Sequence, residues 1–222
     1  MSAGSEPEVV EGRVDPGVAS EFPELRLVHI EVPVGPRRSP SGLKERLRDL
    51  SDGFRGPQAV MMRQQPIPAA YRVFFRHIGL DPDVDRTPVE ALALQRLQDG
   101  GFKSRNTLDD ALTIATMETG VPLWALDADR VRAPLEIRPA RGREQLGRIE
   151  EEYPRHAPDG RLVIADAEGP VAVLFGDLAA GCGVTKATRR MLLFSVMVAG
   201  VPSIHLEEAL WLCADIVLEP GG

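Results

Sequence analysis

Asp109, Thr113 and Thr116 recur at i, i+4 and i+7, the spacing that lines three side chains along one face of a helix. A carboxylate and two short hydroxyls in such a line can orient a water or lead a substrate amine into a cleft. The same spacing equally suits an exposed polar face. Asp110 is a first-turn acid, which favours a helix N-terminus whether or not it does chemistry. Lys103 and Arg105 lie just ahead of this helix, and a helix N-terminus with adjacent cations is suited to a phosphate or an ester oxygen. Thr185-Lys186 offers a further polar contact.

Other site types are missing from the sequence. There is no GxxxxGK[ST] phosphate loop, no GxGxxG and no GxSxG elbow. Cys182 stands between two glycines with no base nearby, and Cys213 falls on an apolar helical stripe. The two cysteines make no disulfide framework, and no CxxC or HxxxH pair offers metal-ligand spacing, so neither a metal nor a cofactor is expected. His29, His77, His156 and His205 lack sequence-local partners and read as structural or solvated.

The elements that must position these groups are marked by caps and turns. Asn106 is a good N-cap, with Asp109 three residues on, and Leu108, Ala111, Leu112 and Ala115 form a buried stripe that ends at Gly120. Three helices precede it: Leu43 to Phe54, Ala69 to Ile78 after Pro66 and Pro68, and one capped by Thr87 with Pro88 first, running to about Gln98. Strands are expected over Leu25 to Val34, Pro122 to Leu126, Leu135 to Arg138, Arg161 to Ala165 and Val171 to Phe175. The apolar run Met191 to Val198 suits a buried strand or a helix, and Gly200-Val201-Pro202 behind it favours the strand. Leu206, Ala209, Leu210, Cys213 and Val217 give a last helix. The expected fold class is α/β (α+β), a mixed sheet core with flanking helices. Residues 1–21, acidic and rich in Gly, Pro and Ser, read as a flexible tail, with 22–222 as one domain.

The 222 residues, 43% hydrophobic and 27% charged, suffice for one sizeable core. Of the net charge of −7, the first 24 residues carry −5, so the remainder is nearly balanced. Residues 130–148 hold six arginines, among them Arg141, against two glutamates, a candidate basic patch. Only three lysines occur, so positive charge is almost all guanidinium, which suits planar contacts to phosphate. The longest apolar run is far short of the ~20 residues that span a bilayer, and the N-terminus lacks a signal-peptide pattern, so a cytoplasmic protein without a membrane partner is expected.

YRVFFRHIGLDP (from Tyr71), RTPVEALALQRL and SRNTLDDALTIATMETGVPLWALDADRV together resemble the tRNA-editing domain within the beta chain of bacterial phenylalanyl-tRNA synthetase, and more closely its free-standing B-three/four relatives. The last run follows the pattern N-x-x-x-D-x-x-N-x-x-x-x-E-x-G-x-P-L-H-A-x-D without a gap, matching Asn106, Asp110, Glu118, Gly120, Pro122, Leu123, Ala125 and Asp127. Further on, RLVIADAEGPVAVLFG and VTKATRRMLL resemble the family's strand pair and its V-T-x-x-T segment. The resemblance implies an editing fold that admits the aminoacylated 3′ end of a tRNA and hydrolyses the ester of a wrong amino acid. In that reading Thr113 and Thr116 orient water or the substrate amine and Asp110 orients them from behind. Asn106, Trp124, Phe175, Phe194 and Thr185 contact substrate, and Lys103, Arg105, Arg141 and Lys186 meet the tRNA.

Three positions depart from the family pattern towards bulk: a histidine falls at Trp124, a glutamate at Phe194 and a glycine at Phe175, while an asparagine falls at Thr113. Three function classes follow. One is a stand-alone trans-acting aminoacyl-tRNA deacylase. Another is a binding module without activity, holding tRNA or an aromatic ligand against Trp124, Phe175 and Phe194. A third is an enzyme acting on a free amino-acid derivative. The amino acid, the tRNA species and the oligomeric state stay open.

Overall fold

The computed structural model describes residues 7–149 and 154–219. Helices and strands alternate around two four-stranded sheets. The first has the order β1-β3-β8-β4, from Val10–Glu11, Arg26–Val32, Met191–Met197 and Trp124–Asp127, antiparallel throughout. The second has the order β2-β5-β6-β7, from Arg13–Val14, Glu136–Pro139, Leu162–Asp166 and Gly169–Val173, with only the β2–β5 pair parallel. The α+β class is as the pattern implied, divided into two sheets.

β8 settles the ambiguous apolar run. It lies between β3 and β4 and is buried almost throughout, so both faces need apolar side chains. Its one polar residue, Ser195, is fully buried and donates to the Pro122 carbonyl at 2.9 Å, which removes the cost of an unpaired hydroxyl.

The helices are α1 (Pro16–Glu21), α2 (Ser41–Gly53), α3 (Gly56–Met62), α4 (Pro66–His77), α5 (Pro88–Asp99), α6 (Thr107–Thr119) and α7 (Ser203–Leu218). α7 buries Leu206, Ala209, Leu210, Cys213 and Val217 against α6 and the β3–β8 face, as its spacing predicts. In α5 the Thr87 capping box forms, and Arg63 and Arg72 approach the buried Glu90 carboxylate at 2.7 and 2.6 Å. α3 carries no strong stripe in the sequence; its one buried side chain, Met62, joins Val89 and Ala93 of α5 in a small separate cluster.

The expected tail over 1–21 is corrected by the fold. Residues 1–6 lie outside the described residues, but β1, β2 and α1 belong to the structure, with Val18 buried and Asp15 Oδ1 accepting from Gly17 N at 2.9 Å. Composition hid this because backbone pairing, rather than apolar side chains, holds much of the segment. Gly12 is the crossing point: its N–H donates to Leu27 O in the first sheet, and the next N–H, of Arg13, donates to Leu135 O beside the second, both at 2.8 Å. A Cβ on Gly12 would lie 2.8 Å from Leu27 Cδ2 and 3.0 Å from Leu135 O, so only glycine lets the chain step between the sheets without displacement.

Candidate substrate-binding site

The start of α6 is built as its sequence suggests. Asn106 Oδ1 accepts from Leu108 N and Asp109 N, both at 3.0 Å, and its amide donates to Asp109 Oδ2 at 2.9 Å. Thr107 N donates to Arg37 O at 2.9 Å, and Asp110 N to Asn106 O at 3.0 Å. All four N–H groups of the first turn are therefore taken. The expectation that this helix end itself holds a phosphate or ester oxygen is corrected on that ground; anion binding here falls to side chains.

The adjacent aspartates have separate fates. Asp110 is 1% exposed and accepts from Ser39 Oγ and Ser104 Oγ at 2.6 Å each and from Arg105 N at 2.9 Å. It ties the Pro36–Ser39 loop to the loop before α6 and lines neither of the cavities flanking that loop. Expected among the catalytic residues, it is a positioning residue. Asp109, one residue earlier, borders both cavities together with Arg105.

The first cavity, of about 390 Å³, opens between α5 and α6. Leu112, Leu123 and Trp124 give it an apolar wall, Thr113 and Thr116 a polar line, and Lys103 and Arg105 a cationic edge. Thr113 Oγ1 donates to Asp109 O at 2.8 Å, which leaves its lone pairs to accept. Thr116 is largely buried and has no such bond one turn back among the described residues, so its hydroxyl is free to donate into the cavity. Lys103 pairs with Asp99 at 3.3 Å and Arg96 donates to Ser51 O at 2.8 Å, whereas Arg105 has no carboxylate partner among the described residues.

Trp124, Phe175 and Phe194 come together, as the resemblance implied, but as a packed cluster. The Trp124 and Phe194 rings stack with centroids 5.5 Å apart and 14° between planes, and Phe175 meets Trp124 at 5.6 Å. Tyr71, Phe74 and Phe75 close on Phe175 from α4. Only Trp124 of the three borders the first cavity; Phe175 and Phe194 back it, which corrects their expected role as substrate contacts.

The second cavity, of about 640 Å³, lies on the other side of the Arg105–Asp109 ridge. Asn106, Thr185 and Lys186 line it together with Arg37 and Arg38. Sequence reasoning missed this arginine pair; the signal was two adjacent guanidinium groups in a Gly-Pro-Ser loop. Asp127, which ends the PLWALD motif, accepts from Thr188 Oγ1 at 2.7 Å and donates its N–H to Cys182 O at 2.9 Å, which pins the turn carrying Thr185 and Lys186.

Half of the arginines in the candidate basic patch over 130–148 are taken up by carboxylates. Arg138 donates to both oxygens of Glu144 at 2.8 Å, Arg132 pairs with Glu168 at 3.2 Å, and Arg148 pairs with Asp166. These guanidinium groups neutralise carboxylates around the second sheet. Arg141 follows β5, gives its backbone N–H to Glu144 at 2.8 Å and borders neither cavity.

Burial pushes the Cys182 thiol up and the Cys213 thiol to about 12, so neither is a ready nucleophile. Among the described residues no three His, Cys, Asp or Glu side chains converge as metal ligands, and no helix is long and apolar enough to cross a membrane.

The chain is 36% identical over 91 residues to the phenylalanine–tRNA ligase beta subunit of Brucella abortus (strain 2308), a match covering 40% of this chain and 11% of that protein. It is 34% identical over 119 residues to the same subunit of Xanthomonas campestris pv. campestris (strain 8004), covering 53% of this chain and 14% of that protein. The chain thus spans only a small part of these curated relatives. A family model described as the B3/4 domain matches residues 70–205, more than half of the sequence. The cavities, the α6 cap and the aromatic cluster fall largely within that match: the chain belongs to the B3/4 domain family.

Proposed function

We propose that this chain binds the aminoacylated 3′ end of a tRNA and acts as a stand-alone deacylase, hydrolysing the ester of a mischarged tRNA. The relationship to a tRNA ligase subunit supports a tRNA-related role. The observation that carries the finer reading is the first cavity, where Thr113 and Thr116 line the space beside an apolar wall and an uncommitted arginine.

An aminoacyl ester is already activated, so placing a water and stabilising the developing oxyanion supply much of the rate. The amino-acid side chain would lie against Leu112, Leu123 and Trp124, with its ammonium near Asp109. Thr116 would hold the water, and Arg105 would face the carbonyl oxygen as it gains charge. Water adds to the carbonyl carbon, the bond to the ribose oxygen breaks, and that oxygen leaves with a proton, giving a free amino acid and an uncharged tRNA.

The test is turnover on a panel of mischarged tRNAs. Thr116→Val, nearly isosteric, should lower kcat by about a hundredfold if its hydroxyl positions the water. No cleavage across the panel overturns the deacylase. The packing of Phe175 and Phe194 behind Trp124, at positions where the family carries a glycine and a glutamate, favours the second reading in that event: a tRNA-binding module without hydrolysis.

A further inference from the structure

Nine of the 23 arginines are committed to ion pairs among the described residues. Arg26, Arg46, Arg63, Arg72, Arg132, Arg138, Arg148, Arg155 and Arg190 each pair with a carboxylate. The second cavity gathers several that are not. Arg37, Arg38, Arg105 and Lys186 all line it, and none of the four forms an ion pair among the described residues. Arg37 gives one guanidinium nitrogen to the Glu219 carbonyl, while its Nε is buried with no hydrogen-bond partner. Asp109 is the one acid in the lining, and one of its oxygens accepts from Asn106.

Four cations against one carboxylate in a concave space repel one another unless an anion enters. The fold spends structure on holding them there. Asp110 and Ser39 fix the loop that carries Arg37 and Arg38, Asp110 also fixes Arg105 N, and Asp127 with Thr188 fixes the turn of Lys186. The α6 N–H groups are already satisfied, so guanidinium forks and the ammonium must do the binding.

We propose that this second cavity is a phosphate site, built to take the phosphate group of a nucleotide. Its wall with the first cavity is the Arg105–Asp109 ridge. A terminal nucleotide whose 5′-phosphate rests among the four cations therefore carries its ribose to the ridge and presents an acyl group on that ribose to the Thr113–Thr116 side. This orientation rests on the reading of the first cavity given above; phosphate binding itself does not.

The probes are 5′-AMP, adenosine and inorganic phosphate, titrated into the whole chain by calorimetry at two salt concentrations. The variant is Arg38→Gln with Lys186→Gln, two exposed side chains that make no bond in the fold, with unchanged circular dichroism as the folding control. AMP should bind at least about tenfold more tightly than adenosine, and the double variant should lose about tenfold in AMP affinity with a shallower salt dependence. Inorganic phosphate matching AMP would mark a site for the free anion, and weaker phosphate binding one for nucleotides. Equal affinity for AMP and adenosine, or an AMP affinity unmoved in the variant, overturns the proposal. Phosphate binding without turnover on mischarged tRNA would remove the deacylase and leave this site standing, and turnover without phosphate discrimination would do the reverse.

Discussion

Asp109 and Asp110 are the same residue type one position apart, and the helix turns them to opposite uses. Asp110 faces inward, with three donors on its carboxylate, and its removal would leave two serine hydroxyls and the Arg105 N–H unpaired. Asp110→Ala should cost about 3 kcal/mol, read as a lowered urea midpoint at constant m-value, whereas Asp109→Asn should alter ligand binding with little change in that midpoint. Phe175 poses the opposite balance. Its φ of 58° is a left-handed backbone that an L-residue adopts at a cost of about 1–2 kcal/mol, and the resemblance places a glycine there in relatives. Contacts with Tyr71, Phe74, Phe75 and Trp124 offset that strain. Phe175→Gly should relieve the backbone yet still destabilise by about 2–4 kcal/mol, since the lost ring leaves a void. A Tm at or above that of the parent chain would show that strain dominates. The spacing of Asp109, Thr113 and Thr116 was readable because a helix converts sequence distance into direction. Which aspartate served the cavity was not readable, since one of the three partners of Asp110 is Ser39, 71 residues away.

At the scale of elements, legibility followed local signals. α5 and α6 announce themselves through Thr87-Pro88 and Asn106, whose bonds close within three residues. The matched family positions are largely scaffold in the same sense: Asn106 caps, Glu118 holds Arg46 of α2 at 2.8 Å, Gly120 closes α6 at φ 75°, and Asp127 pins a turn. Of these four only Asn106 also lines a cavity, so a motif can mark the fold more firmly than the reaction. β1 and β2 gave no such signal. Each two residues long, they are held by backbone bonds to β3 and to the distant β5, and an acidic, glycine-bearing stretch reads as a tail until those strands are in place. Gly12→Ala tests whether the segment is integral. Its new Cβ meets a buried leucine methyl and a backbone carbonyl, and overpacking of that kind costs about 1–3 kcal/mol. A lowered urea midpoint is expected, and an unchanged one would detach β1 and β2 from the cooperative core.

For the whole molecule, the junction between strands has a consequence for pH. His29 lies on β3 opposite Val10 of β1 and Phe194 of β8, is 6% exposed, and keeps Nδ1 without a partner. Burial lowers its pKa from 6.5 against the opposing charge of Glu31, so the folded chain holds it neutral where the unfolded chain protonates it. The unfolded state then binds the extra proton, and stability, complete above 6.5, falls as pH drops through that value towards the lowered folded one. The slope cannot exceed about 1.4 kcal/mol per pH unit for one group. A second loss begins lower: Glu144, held below its usual 4.5 by Arg138, contributes stability that disappears as it protonates. The two windows are separable. Urea midpoints at pH 7.5 and 5.5 should differ in the parent chain and converge in His29→Leu, while the fall below pH 4.5 should survive in the variant. A gap between pH 7.5 and 5.5 that persists after His29→Leu would assign the acid sensitivity elsewhere and make the buried imidazole a silent member of the core.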